Sequence, residues 1–134
     1  MVEEKGVFDL LDALALCSPE TQVVFAGEGV ARAALQKRAQ ELNLAERVLF
    51  LPARPQHELP IVMNALDALV LPSRTTRSWK EQFGRVLIEA QACAIPVVGS
   101  DSGTIPHVVG EGGIIFPEGE GLVLCRALEF LRAD

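Results

Sequence analysis

The chain has 134 residues, 49% of them hydrophobic, and a formal net charge of -6 at pH 7. That length suits one domain with one core, and the apolar fraction excludes a disordered chain. Acids outnumber bases 18 to 12, which excludes the broad basic face of a general nucleic-acid binder and leaves room for a local phosphate pocket.

In chain order, Val7, Leu10, Leu11 and Leu14, with Asp9 and Asp12 between them, predict an amphipathic helix over 6–17. An apolar run at 22–26, bounded by Pro19 and Gly27, reads as a buried strand. After Gly27-Glu28-Gly29 comes a helix over 30–42, rich in good helix formers. A second strand at 47–51 stops at Pro52, and a helix over 56–66 holds Pro60 in its first turn. The third strand is 67–71, followed by a polar loop over 72–80 that carries the single tryptophan, Trp79. A helix over 83–93, a strand at 95–99 and a Ser102-Gly103-Thr104 turn follow. A short helix at 105–109, a strand at 113–116 and a closing helix over 121–132 complete the chain.

Helices alternate with strands that show no polar alternation. That pattern predicts an α/β fold: a parallel sheet covered on both faces, a Rossmann-like three-layer sandwich. Ligands in such folds bind beyond the carboxyl ends of the strands. The loops after Ala26, Leu51, Leu71 and Gly99 are therefore where chemistry is expected.

Several residues there have two readings. Gly27-x-Gly29, between a strand and a helix, either cradles a phosphate through its amides or makes a tight turn. A dinucleotide site would want an acid at the end of the next strand, which instead reads Leu51-Pro52-Ala53, so a nicotinamide oxidoreductase is disfavoured. Lys5 sits at a helix N-terminus, where a cation opposes the macrodipole. Either an anion lies between them, or Lys5 is a solvated surface residue. Glu81 ends the polar loop; Glu89 lies in the next helix among Val86, Leu87, Ile88, Ala90 and Ala92. A glutamate in that company either has a partner or lies on a solvated face. His57 and His107 lack ligand spacing and read as structural or solvated. Cys17, Cys93 and Cys125 form no CxxC and read as buried apolar residues in a reducing compartment. Glu3 and Glu4 stand where a signal peptide needs positive charge, so a cytoplasmic location is expected.

The block from Glu81 to Ala90, Glu-Gln-Phe-Gly-Arg-Val-Leu-Ile-Glu-Ala, resembles the paired-glutamate motif of the group 1 retaining glycosyltransferases, glycogen-synthase-like enzymes of GT-B fold. Glu4-Lys5-Gly6, Phe25-Ala26-Gly27-Glu28-Gly29, the runs 47–51 and 67–73, the run 92–98 and the run 113–117 agree in order. The resemblance covers nearly the whole chain. It implies the C-terminal half of such an enzyme, the half that binds the nucleotide diphosphate sugar as donor substrate. It implies an N-terminal acceptor domain as partner, absent from these residues together with a Gly-Arg strand ahead of Glu4. Membrane contact, if any, would come through that partner domain.

The resemblance assigns the donor diphosphate to Lys5 and the transferred sugar to Glu81, the catalytic candidate. It sets the Phe83 and Gly84 amides by the sugar and phosphates, Glu89 on the ribose hydroxyls, and Arg54 in the loop lining the base. Gly27 joins them as a donor-binding position. It implies no cofactor and no metal, and no Asp-x-Asp is present. Ala94, Gln91 and His107 depart from the family's usual Gly, Met and Glu. A rival expectation is a truncated or degenerate nucleotide-binding or interaction module that transfers nothing.

Overall fold

The structure is a computed structural model that describes residues 1–134. In chain order it runs α1 (Val7–Leu16), β1 (Val23–Ala26), α2 (Arg32–Glu41), β2 (Val48–Leu51), α3 (Leu59–Met63) and β3 (Leu69–Leu71). Then come α4 (Arg85–Ala92), β4 (Val97–Ser100), α5 (Ile105–Val109), β5 (Gly113–Phe116) and α6 (Gly121–Ala133). Single 3-10 turns lie at Glu3–Lys5, Ala45–Arg47 and Gln56–Glu58.

Every ladder is parallel, as expected, but there are two sheets rather than one: β1-β2, and β3-β4-β5. β1 and β3 each pair along one edge only. Each of the five apolar runs already has its place in a ladder, so none is left to join the two sheets. At the carboxyl end, residues 1–6 connect them. The Met1 carbonyl accepts from Ala31 N–H, beyond β1, and the Glu4 carbonyl accepts from Arg74 N–H, beyond β3.

The layers follow from β4. Val97 and Val98 are both fully buried yet belong to different cores, because successive side chains of a strand point to opposite faces. Val98 packs with Leu11, Leu14, Leu35, Phe116 and Leu124, beneath α1, α2 and α6. Val97 packs with Leu87, Ile105 and Val109, beneath α4 and α5. In the smaller sheet, Phe25 faces Phe50 in register, and their rings stack at 5.5 Å.

Helix ends differ from the sequence reading for local reasons. α4 starts at Arg85 rather than 83 because Gly84 is left-handed, φ 63°. The helix expected over 56–66 is a 3-10 turn followed by only five α residues, with Pro60 in the first turn. Arg47 closes α1 by donating to the carbonyls of Leu14, Ser18 and Thr21 at 3.1, 2.7 and 2.9 Å, satisfying acceptors that a helix end leaves over. Cys17, which caps α1, and Cys125 of α6 are both buried but are not separate apolar fillers. They are neighbours, and burial followed by the Cys125 hydrogen bond pushes the Cys17 thiol up to about 12. No helix is long and apolar enough to cross a membrane.

Candidate functional site

The loops after β1, β2, β3 and β4 open on one end of the sheets. There Lys5, just before α1, meets Glu81, just before α4: Lys5 Nζ lies 2.6 Å from Glu81 Oε2. Lys5 is therefore ion-paired with a carboxylate of the same chain rather than merely solvated. Ser73 Oγ, fully buried just beyond β3, donates to Glu81 Oε2 at 2.9 Å, and the Gly84 amide donates to Oε1 at 3.3 Å. Burial, the largest single influence on Glu81, works to raise its pKa. The hydrogen bonds from Lys5 and Ser73, the Lys5 charge and the Gly84 amide together outweigh it. The Glu81 carboxyl is held below its ordinary range, so it is ionised at neutral pH.

The Ser102-Gly103-Thr104 turn fixes the Glu81 backbone. Thr104 N–H donates to the Glu81 carbonyl at 3.1 Å. Gly103 is left-handed, φ 54°, and passes so close that a Cβ there would overlap the Glu81 carbonyl. Ser100 Oγ in turn donates to the Ser73 carbonyl. The Lys5 side chain is 39% exposed, so its ammonium still has donors to offer an arriving anion. Its Nζ stands 5.1 Å from the Trp79 ring centroid, within cation–π range. Neither α1 nor α4 has a side-chain N-cap, and the amide ends of both helices favour negative charge.

Glu89 lies one helical stretch beyond, with its side chain 26% exposed. It is partnered rather than merely solvated: Gln56 Nε2 donates to Oε1 at 3.3 Å and Arg85 Nε stands 3.5 Å away. Gln56, Leu59, Pro60, Met63, Ala92, Cys93 and Glu89 line a cleft there of about 240 Å³. Phe83 is exposed between the two glutamates in sequence. Arg54 is half-exposed, its Nη1 3.6 Å from Glu58 Oε2. Gly27, φ 114°, faces open space where a Cβ would go, but its amide already donates to the Leu51 carbonyl at 3.1 Å. That engagement favours the turn reading of Gly27 over a free phosphate-binding amide.

Sequence reasoning missed Ser73, Gln56 and the Arg74–Asp9 pair. Ser73 lies two residues beyond the third strand, and the rule that places sites at strand carboxyl ends could have flagged it. Gln56 and Arg74 carry no such signal, since their partners are set by the packing of α3 and of the polar loop. His57 and His107 are exposed and take no part.

The fold is that of a GT-B glycosyltransferase domain. The chain superimposes on Anabaena HepE, solved in complex with UDP, with a TM-score of 0.89 and 30% identity over 99% of this chain and 37% of that one. It superimposes on sucrose-phosphate synthase of Thermosynechococcus elongatus with a TM-score of 0.86, at 30% identity over 99% and 34%. Residues 1–130 match the family described as glycosyl transferases group 1, and the chain belongs to that family. D-inositol 3-phosphate glycosyltransferase of Mycolicibacterium smegmatis is 37% identical over 109 residues, 78% of this chain and 24% of that protein. The GDP-mannose-dependent alpha-(1-6)-phosphatidylinositol monomannoside mannosyltransferase of the same organism is 36% identical over 117 residues, 84% and 31%. The chain thus spans less than a third of the length of these two relatives.

Proposed function

We propose that this chain is the donor-binding half of a retaining glycosyltransferase that moves a sugar from a nucleotide diphosphate sugar to an acceptor. The observation that carries the reading is the meeting of Lys5 and Glu81. Residues 76 apart in sequence converge at 2.6 Å beside two uncapped helix N-termini. That is a place prepared for an anionic leaving group next to a fixed carboxylate.

In this reading Lys5 turns its exposed donors to the diphosphate and stabilises the charge that develops as the glycosidic bond breaks. Glu81 stays ionised beside the transferred sugar and positions it. Gly84 carries the Glu81 carboxylate on one oxygen and brings the first turn of α4 to the phosphates. Glu89, oriented by Gln56 and Arg85, accepts hydrogen bonds from both ribose hydroxyls. Arg54 lines the base, Phe83 flanks the sugar, and Gly27 leaves room for the ligand to approach the backbone. The reading is supported by HepE, a structural neighbour solved with UDP and with UDP-glucose.

The acceptor site belongs to a separate domain in this proposal, and closure of the two halves is what excludes water from the donor. The reaction takes place in the cytoplasm. The isolated chain binds a nucleoside diphosphate weakly, at about 0.1 to 1 mM, and transfers nothing.

The test is a mutant cycle on binding, with UDP and GDP as probes, followed by calorimetry or by Trp79 fluorescence. Glu89→Gln weakens binding by about 1 to 2 kcal/mol. The 2′-deoxy nucleotide loses a similar amount on the native chain and little more on the variant, because both changes remove one contact. Lys5→Ala narrows the preference for the diphosphate over the bare nucleoside. Fully additive losses from Glu89→Gln and the 2′-deoxy ligand contradict the assignment. Sugar transfer by the isolated chain that survives repurification and disappears in Glu81→Ala contradicts the division of labour between the halves.

A further inference from the structure

We propose that Cys17, Cys125 and Glu129 form a binding site for a thiophilic divalent cation of the zinc type, distinct from the donor site. Cys17 lies at the C-terminal end of α1, whereas Lys5 and Gly6 lie at its start. A helix of ten residues separates the two places by about 15 Å.

The geometry comes from two helices that the sequence does not connect. Cys125 and Glu129 are four residues apart on α6 and share one face. Cys17 meets that face from α1. The two Sγ atoms and a Glu129 carboxylate oxygen all lie within 4.8 Å of one another. Both cysteines are free and buried, 6% and 5% exposed, while Glu129 is partly exposed and gives the ion a way in. Two sulfurs and one oxygen are three of the four positions of a tetrahedral zinc site, and bonds of about 2.0 to 2.3 Å require only a small closing of the side chains. The soft sulfurs select zinc or cadmium over magnesium or calcium.

The carboxylate is already arranged for a loaded site. Glu129 Oε1 accepts from Ser18 N–H at 2.8 Å and Oε2 from Arg132 Nε at 2.9 Å, so the carboxylate is oriented by groups outside the cluster. On binding, each thiol gives its proton to solvent as its sulfur bonds the cation; nothing is oxidised. Two thiolates, one carboxylate and the cation sum to a single negative charge. The Arg47 guanidinium, held on the Leu14, Ser18 and Thr21 carbonyls around Cys17, and Arg132 offset it. The ion would tie α6 to α1 across the larger core.

The experiment is a titration of the reduced full chain with Cd²⁺, followed through the ultraviolet thiolate-to-metal band, then competition with Zn²⁺. One Cd²⁺ binds, Zn²⁺ displaces it, and the melting temperature rises with either metal. Cys17→Ser and Cys125→Ser abolish the band, Glu129→Gln weakens Cd²⁺ binding at least about tenfold, and Cys93→Ser leaves it unchanged. Native chain in moderate urea supplies a readout free of variant folding: Cd²⁺ slows alkylation of Cys17 and Cys125 but not of Cys93. A band that survives Cys17→Ser, a band lost with Cys93→Ser, or equal alkylation of all three cysteines with metal present overturns the proposal. So does a Cys17–Cys125 disulfide that, once reduced, yields a chain taking up no metal.

Discussion

Ala94, between α4 and β4, has φ 58°, a left-handed conformation that suits glycine. A Cβ there costs about 1 to 2 kcal/mol, whereas glycine brings an unfolded-state entropy penalty of roughly 0.5 to 1. Ala94→Gly is therefore expected to be neutral or to stabilise by up to about 1 kcal/mol. Urea midpoints check this, and a clear loss at unchanged slope contradicts it. Glu81 makes a pH prediction. Its pKa is lowered in the fold, so its contribution is complete above the ordinary carboxylate range and is lost as pH falls through the folded value. Glu81→Gln should flatten the acid limb of the stability curve below about pH 5 and leave the curve between there and neutrality unchanged in slope. Parallel curves for native and variant chains contradict this. The sequence marked Ala94 only as standing where the family usually has Gly, and its positive φ accounts for that preference. The partners of Lys5 and Cys17 were not legible, because each lies far away along the chain.

At the scale of elements, the polar loop after β3 is fastened to α1. Arg74 Nε and Nη2 each lie 2.5 Å from one Asp9 carboxylate oxygen, and the Asp9 side chain is only 9% exposed. The first influence on Arg74 is this hydrogen bond, which raises its pKa further. Arg74→Met strands a mostly buried carboxylate and is expected to cost about 2 kcal/mol. The double variant with Asp9→Asn should recover part of that loss. A cycle with no coupling would mean that the pair does not hold the loop. The order and type of every strand and major helix were readable from apolar runs and punctuating Gly and Pro. Asp9 sat in the predicted helix as if it faced water, and only packing against the loop shows why it is buried. The helix over 56–66 was overread because its apolar spacing hides a tight turn at Gln56–Glu58.

For the whole molecule, alternation of helix and strand predicted the three layers that surround β4, where Val97 and Val98 divide between two cores. In the smaller sheet Leu49 is 54% exposed, so its second face is not covered as expected. Periodicity reports a strand's faces but not its neighbours, so the break between β1 and β3 was invisible to it. That break has a consequence for how the purified chain behaves in concentrated solution. Along β1 and β3 it leaves peptide groups without a ladder partner, beside the half-buried apolar residues Val24 and Val70. Such edges are templates for pairing with another chain. The chain should self-associate reversibly as its concentration rises, and light scattering will follow this. A lysine at Val24 or Val70 should suppress the association; one at the distant, exposed Glu111 should leave it unchanged. Stickiness at a strand edge, rather than low stability, would then set the solubility of this chain.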